Sequence, residues 1–91
     1  EDKETNFAEL KARLEKSIDY VKSLPKADIE GSDERSIPMK VGGKDIVFTG
    51  RDYLQGFATP NFFFHVTTAY NILRHNGVEL GKQDFLGPIP Q

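Results

Sequence analysis

The apolar pattern between Pro60 and Asn76 constrains this chain most. Proline favours the first turn of a helix, and Asn76-Gly77 supplies the left-handed residue that ends one, so a long helix is predicted between them. At 100° per residue, the apolar side chains of residues 62–73 spread over an arc about 180° wide. A helix with so wide an apolar arc is packed on at least two sides, which predicts a central position in the fold.

A second helix is predicted near the N-terminus, over about residues 6–24. Asn6 is its expected cap, with Glu9 three residues later in a capping-box pattern. Its apolar side chains fall in an arc only about 80° wide, which is typical of a helix at the edge of a bundle. Pro25 disfavours helical geometry at the preceding residue and ends it. Residues 25–35 are polar, contain Gly and Ser, and predict a surface loop.

Residues 36–48 predict a β-hairpin around the turn Gly42-Gly43, since both glycines can take positive φ angles. Counting back from the turn pairs Met39 with Ile46 and Ile37 with Phe48 on one apolar face. The opposite face receives the oppositely charged pair Lys40 and Asp45. A hairpin alone is marginal in water, so its apolar face is expected to rest on the helices.

The long helix is expected to begin before Pro60. Thr49 and Asp52 form a capping pattern that opens a short helix, in which Leu54 is expected to point inward. Thr59 is predicted to cap a restart at Pro60, which gives one helix kinked there. The resulting fold class is mainly α with one β-hairpin, in a single domain over residues 1–91. Its segments are a helix at about 6–24, a loop at 25–35, the hairpin at 36–48, a kinked helix at about 50–76 and an apolar C-terminal strap at 77–91.

Composition excludes several functional classes. The formal net charge is −2 and there are no cysteines, so a polybasic nucleic-acid binder, disulfides and thiolate zinc sites are excluded. No apolar run reaches the length of a membrane span, and no signal peptide is visible. We therefore expect a cytoplasmic protein without nucleic-acid or membrane partners. The chain begins without Met, which suggests a fragment or a processed product.

His65 is the only ionisable side chain within the apolar arc. It is either a core histidine whose ring nitrogens find hydrogen-bond partners, or a ligand or general base that faces a pocket. Tyr70, Asn61 and Tyr53 complete the ligand-binding candidates, and each is equally explained as a structural residue. His75 is better explained by the helix C-terminus, where a cation is favourable.

An interface is predicted on the same helix. Phe64 falls among polar residues on the helical projection, outside the apolar arc. An exposed phenylalanine beside an unpaired apolar face is typical of an association surface. The interface candidates are Phe62, Phe64, Val66 and Leu73, and a homodimer is the expected partner arrangement.

Four segments make the chain resemble a known family: FTGRDYL at 48–54, PNFFFHVTTAY at 60–70, ILRHNGV at 72–78 and LGKQDFLG at 80–87. They are similar to the C-terminal half of the domain-of-unknown-function family numbered nineteen ninety-three. Residues 5–10 also resemble the start of a helix in that family. The family is similar in fold to the DinB and YfiT group of four-helix bundles.

The resemblance implies that this chain is half of such a bundle, completed by dimerisation or by a missing N-terminal half. Many members of the group hold a divalent metal with three histidines, two of them four residues apart on the last helix. Only His65 matches such a position, because the residue four positions after it is Ala69 and His75 lies on a different side of the helix. His65 is thus the one metal-ligand candidate, in an incomplete triad.

Two functions follow from these features. The first is a structural or protein-interaction module that buries its apolar helix faces by self-association. The alternative is a fragment of a DinB-like small-molecule enzyme or binder that depends on a metal or a thiol cofactor and uses His65 in the bundle pocket. No catalytic residues are assigned.

Overall fold

The computed structural model of the protein describes residues 1–90. They form a mainly helical structure with one antiparallel hairpin, as the sequence predicts. The elements are α1 (Phe7–Ser23), α2 (Lys26–Ile29), β1 (Ser36–Val41), β2 (Lys44–Thr49), α3 (Gly50–Asp52), a π-helix (Tyr53–Ala58), α4 (Thr59–His75) and α5 (Lys82–Leu86).

These elements belong to two compact units, residues 1–33 and residues 34–91, where the sequence predicts a single domain. The boundary lies in a stretch, residues 30–35, with no apolar side chain. Exposed polar stretches of this kind are typical of the boundary between compact units.

In the first unit, α1 has the predicted N-cap. The Asn6 side chain accepts a hydrogen bond from the backbone N–H of Glu9, at 2.9 Å. The Glu9 carboxylate reaches back one residue beyond the expected position, to the backbone N–H of Thr5, at 2.8 Å. At the other end Leu24 is extended, as its place before Pro25 requires.

The apolar stripe of α1 is exposed along its whole length. Phe7, at the start of the helix, is 89% exposed, and no residue of α1 is buried. The loop predicted for residues 25–35 contains the short helix α2, which begins directly after Pro25. Pro25 ends one helix and starts the next because its fixed φ suits the residue that leads into a first turn.

In the second unit, the hairpin has the predicted register. Met39 pairs with Ile46 and Ile37 with Phe48, and the turn glycines Gly42 and Gly43 both have positive φ. Burial alternates along β1, with the side chains of residues 37, 39 and 41 half-buried and the intervening ones exposed. On β2 only Phe48 and Thr49 are half-buried and Ile46 is exposed, so the apolar face of the hairpin is covered in part.

The chain between β2 and α4 differs from the prediction of a restart at Thr59. Thr49 caps the helical stretch through the N–H of Asp52, at 3.1 Å, as predicted. Thr59, however, has helical angles, and its N–H bonds to the carbonyl of Leu54 in a π turn. A proline ring clashes with the carbonyl four residues before it, and a π turn relieves that crowding without ending the helix. Pro60 is thus accommodated by the π-helix and not by a new cap.

The C-terminal end of α4 is closed as predicted. Gly77 has φ 95°, and its N–H bonds to the carbonyl of Arg74, while the N–H of Val78 bonds to that of Leu73. These two bonds form a Schellman motif. The following segment, predicted to be an apolar strap, contains α5. The Asp84 carboxylate of α5 accepts a hydrogen bond from the backbone N–H of the N-cap residue Gly81, at 2.8 Å.

No residue of the described part of the chain is buried. The wide apolar arc of α4, predicted to be packed on at least two sides, is therefore open: Phe62 is 60% exposed and Leu73 49%. The second unit contains no other long helix, so its short elements cover only part of that arc. Across residues 1–90, the helices all fall short of the length and apolarity needed to cross a bilayer.

Candidate functional site

The four interface candidates all lie on α4, and the structure leaves three of them exposed. Phe62, Phe64 and Leu73 are exposed, and Val66 is half-buried. Phe64 is 66% exposed, close to the exposed fraction of Phe62, which lies inside the apolar arc. An apolar face of this extent on one helix is what association surfaces present.

His65 is exposed and not in a core or an enclosed pocket. Its ring meets the ring of Phe64 edge to face, with the centroids 5.3 Å apart. Both side chains stand on α4, in neighbouring positions of the chain. The imidazole is thus open to an incoming group, and its surroundings are apolar on the Phe64 side.

The donors needed for a metal site are not assembled. Within residues 1–90, no three His, Cys, Asp or Glu side chains stand together in a way that could hold a metal ion. His65 has the apolar Ala69 one turn further along α4, where a second ligand of the same helix would stand. One imidazole is not a divalent-metal site, since such sites take at least three protein ligands. The described residues therefore do not fit the metal that the resemblance implies.

Tyr70 holds the C-terminal segment and does not face a ligand. Its hydroxyl donates a hydrogen bond to the carbonyl of Gly81, and its ring meets Phe85 of α5 edge to face, with the centroids 5.3 Å apart. Aromatic pairs in this geometry contribute stability beyond their buried area. The structural interpretation of Tyr70 accounts for both ends of the side chain.

Tyr53 belongs to a cluster of three rings where the hairpin meets the π-helix. The Phe48, Tyr53 and Phe57 centroids lie 5.8 to 6.1 Å from one another. All three rings are half-buried, so the cluster is an apolar contact within the second unit. Asn61, in the first turn of α4, is exposed and stands apart from it.

The sequence analysis missed an ionic cluster in the first unit. One guanidinium nitrogen of Arg13 bonds to Asp2 at 2.6 Å and to Glu4 at 2.8 Å. A hydrogen bond from its own backbone N–H, together with the Arg13 guanidinium, holds the pKa of Glu4 below its usual value. The two carboxylates raise the pKa of Arg13. Residues so far apart in sequence give no local pattern that could have predicted the cluster.

The same cluster lines an open groove of about 840 Å³ along α1. Most of its charged side chains are already engaged: Lys3 bonds to Glu1 at 2.8 Å, Glu4 bonds to Arg13, and the Glu9 carboxylate accepts from the N–H of Thr5. A groove whose charges satisfy one another has little left with which to orient a ligand. It is a less favourable candidate site than the open apolar faces.

The interface prediction also omitted exposed apolar residues of the second unit, among them Phe63, Ile72 and Leu54. Phe63 and Ile72 lie at the two edges of the apolar arc. That position is the sequence signal from which they could have been included in the interface. Leu54 was expected to point inward and is exposed. It lies in the π-helix, whose wider turn displaces side chains from the directions of an α-helix.

Comparison with known proteins gives a matching family and similar solved structures. The domain of unknown function DUF1993 matches residues 1–86. A crystal structure of a DinB family member protein from Shewanella denitrificans is similar to the chain, with 40% sequence identity and a TM-score of 0.79. No curated protein matches.

The similarity to the Shewanella denitrificans structure covers 100% of this chain and 51% of the other, so this chain spans about half the length of its relative. The mainly helical fold with its hairpin is thus shared with a DinB family member. The match over residues 1–86 establishes that the chain belongs to the DUF1993 family.

Proposed function

We propose that this chain is a helical-bundle module whose function is association through its apolar helix faces. The observation that carries the proposal is burial: among residues 1–90 no side chain is buried, while 20 large apolar residues are exposed. Soluble monomers rarely expose apolar patches of more than a few hundred Å². A chain of this kind reaches a stable state by covering such faces with a partner.

Each of the two units presents its own apolar face. In the first unit the face is the stripe of α1, defined by Phe7, Leu10, Leu14, Ile18 and Val21. In the second unit it is the arc of α4. The partner is a second copy of the chain or the remainder of a longer protein, which the half-length match to the DinB family structure also suggests.

The test is the molar mass of the chain in solution, measured by light scattering over a wide range of concentrations, together with binding of a dye for apolar surfaces. A mass near twice 10.3 kDa that persists on dilution supports self-association. A monomer that binds the dye strongly supports a partner supplied by another protein segment. A folded monomer that binds no dye contradicts the proposal.

A second candidate function is small-molecule binding through His65, as part of a DinB-like fold. The observations in its favour are the exposed imidazole and the similarity to the DinB family structure. His65→Phe keeps an aromatic ring and removes both nitrogens, so it separates the two functions. Unchanged metal and thiol binding in a folded His65→Phe variant contradicts this second candidate. The matched control is His75→Phe, which makes the same substitution at the other histidine.

A further inference from the structure

One asparagine of the chain differs from the others in the residue that follows it. Asn76 precedes Gly77, whereas the other asparagines precede bulky residues, in the pairs Asn6-Phe7, Asn61-Phe62 and Asn71-Ile72. An asparagine loses ammonia when the backbone nitrogen of the next residue attacks its side-chain carbonyl carbon. Glycine has no Cβ to obstruct that attack, and its backbone reaches conformations closed to other residues. Asn76-Gly77 is therefore the pair at which this reaction meets the least obstruction.

The structure engages both reacting groups at the C-terminal end of α4. The N–H of Gly77 donates to the carbonyl of Arg74 at 3.1 Å, so the attacking nitrogen points back into the helix. The side-chain amide of Asn76 donates to the carbonyl of Ile72 at 2.7 Å. These two hydrogen bonds, with the Schellman motif described above, are here called the α4 closure.

Backbone geometry also keeps the two groups apart. Asn76 has φ −85° and ψ 11°. The attack requires the nitrogen of Gly77 to lie on the same side of the Cα–C bond as the Asn76 side chain. Because Cβ is offset by about 120° from the backbone nitrogen around that bond, the reactive conformation has a ψ of about −120°. The closed structure is thus about 130° of ψ rotation away from it.

The chain after Gly77 opposes that rotation. The Tyr70 hydroxyl donates a hydrogen bond to the carbonyl of Gly81, and the Tyr70 ring meets Phe85. Only residues 78–80 separate Gly77 from this anchor. The backbone at Asn76 therefore reaches the reactive conformation only when the α4 closure opens locally.

We propose that Asn76 is a site of spontaneous deamidation, and that the α4 closure holds it unreactive until the end of α4 opens. In the reaction the Gly77 nitrogen bonds to Cγ of Asn76 while the Cγ–Nδ2 bond breaks. Nδ2 leaves as ammonia with the proton of the Gly77 N–H. Water then opens the cyclic imide at either of its two carbonyl carbons. One direction gives aspartate, and the other gives isoaspartate, in which the main chain runs through the former side chain.

Neither product restores the α4 closure. The Asn76 amide donates to the carbonyl of Ile72, whereas a carboxylate only accepts hydrogen bonds. The new negative charge also lies at the C-terminal end of α4, where the helix dipole disfavours it. Isoaspartate adds one atom to the main chain, which changes the spacing between Gly77 and Arg74. The modification thus loosens the attachment of residues 78–86 to α4, and the hydrolysis does not reverse.

Peptide mass spectrometry tests the site and its protection. The chain is incubated at neutral pH, folded and in urea, and conversion of amide to acid is followed at each asparagine. In urea Asn76 is expected to react faster than Asn61 and Asn71. In the folded chain its rate is expected to fall by about tenfold or more, because the hydrogen bonds of the α4 closure must first open. Equal rates at Asn76 in the two conditions, or an earlier reaction at Asn61 or Asn71, would overturn the proposal.

Tyr70→Phe tests whether local opening exposes the site. The variant keeps Asn76 and Gly77 and removes the hydrogen bond to Gly81. We expect deamidation of the folded variant to be faster than that of the wild type by about two- to tenfold, with an unchanged rate in urea. Tyr20→Phe, at an exposed position of α1, is the matched control. The same folded-state rate in both variants contradicts a closure held by the C-terminal segment.

Asn76→Asp reproduces one product and tests its consequence. We expect amide hydrogen exchange at residues 78–86 to be faster than in the wild type by about tenfold, since a donor is lost and a charge opposes the helix dipole. Asn71→Asp is the matched control, because it makes the same change at an exposed position before the last turn of α4. Equal exchange in the two variants would show that the α4 closure does not need the Asn76 amide. The inference is independent of association, because the α4 closure lies within one chain.

Discussion

At the scale of single residues, the Arg13 cluster and the Tyr70 contacts fix segments that lie outside the long helices. Arg13 links α1 to the acidic residues that precede it. Tyr70 links α4 to the segment that contains α5. Neither link depends on a buried core, so each can be tested by one substitution.

The link to Glu4 predicts a response to acid. The pKa of Glu4 in the folded protein lies below its ordinary value of 4.5. The stabilisation that the ionised Glu4 gives to the folded state is therefore complete above that pH, and it is lost as the pH falls through the lower, folded value. We expect the pH titration of the Glu4 carboxylate, followed by NMR, to have its midpoint below the ordinary value. A midpoint at or above 4.5 contradicts the cluster.

The variant Arg13→Gln is the control for the acid response. It removes the guanidinium and leaves the backbone N–H of Glu4, which is the larger cause of the shift. The midpoint is therefore expected to rise towards the ordinary value without reaching it. An unchanged midpoint would show that Arg13 plays no part.

Tyr70→Phe tests the link to the C-terminal segment. The variant keeps the ring contact with Phe85 and removes the hydrogen bond to Gly81. A loss of about 0.5 to 1.5 kcal/mol is expected, seen as faster amide hydrogen exchange in α5. Tyr20→Phe, at an exposed position of α1, is the matched control. Equal exchange in the two variants contradicts this role of the hydroxyl.

At the scale of elements, two glycines near the ends of α4 differ in backbone conformation. Gly77 has φ 95° in the Schellman motif, a conformation that side chains with a Cβ rarely adopt. Gly56 lies within the π-helix, has no positive φ, and leaves open space where a Cβ would stand. The same substitution should therefore act in opposite directions at the two positions.

Gly77→Ala is expected to destabilise the second unit by about 1 to 2 kcal/mol. Gly56→Ala is expected to stabilise it by about 0.5 to 1 kcal/mol, because alanine loses less backbone entropy in a helix. Urea unfolding followed by circular dichroism, at one protein concentration, gives both values. Changes of the same sign would show that one of the two local conformations differs from the structure.

At the scale of the whole molecule, stability should depend on concentration. A chain with no buried side chain among residues 1–90 has little to stabilise it as a monomer. If a second copy covers the apolar faces, mass action raises the Tm with concentration. We expect thermal unfolding of the wild type to shift upward by several degrees for each tenfold increase in concentration. A constant Tm would contradict self-association.

The sequence by itself determined the long helices, the hairpin and most of their ends. The cap at Asn6, the stop at Pro25, the Gly42-Gly43 turn with its register, and the Gly77 closure are all local events, governed by neighbours within a few residues. The same holds for the apolar faces, since their positions follow from helical periodicity. Family membership also followed from local motifs, which the match to residues 1–86 confirms.

The tertiary structure decided what those faces contact. Periodicity shows that α4 has an apolar arc, but it cannot show how far the other elements of the second unit cover it; in the structure they leave Phe62 and Leu73 exposed. The π-helix before Pro60, the division into two units and the Arg13 cluster likewise depend on residues distant in sequence or on crowding in three dimensions. The interpretation of His65 changed for the same reason, because a position within an apolar arc is buried only when something packs against it.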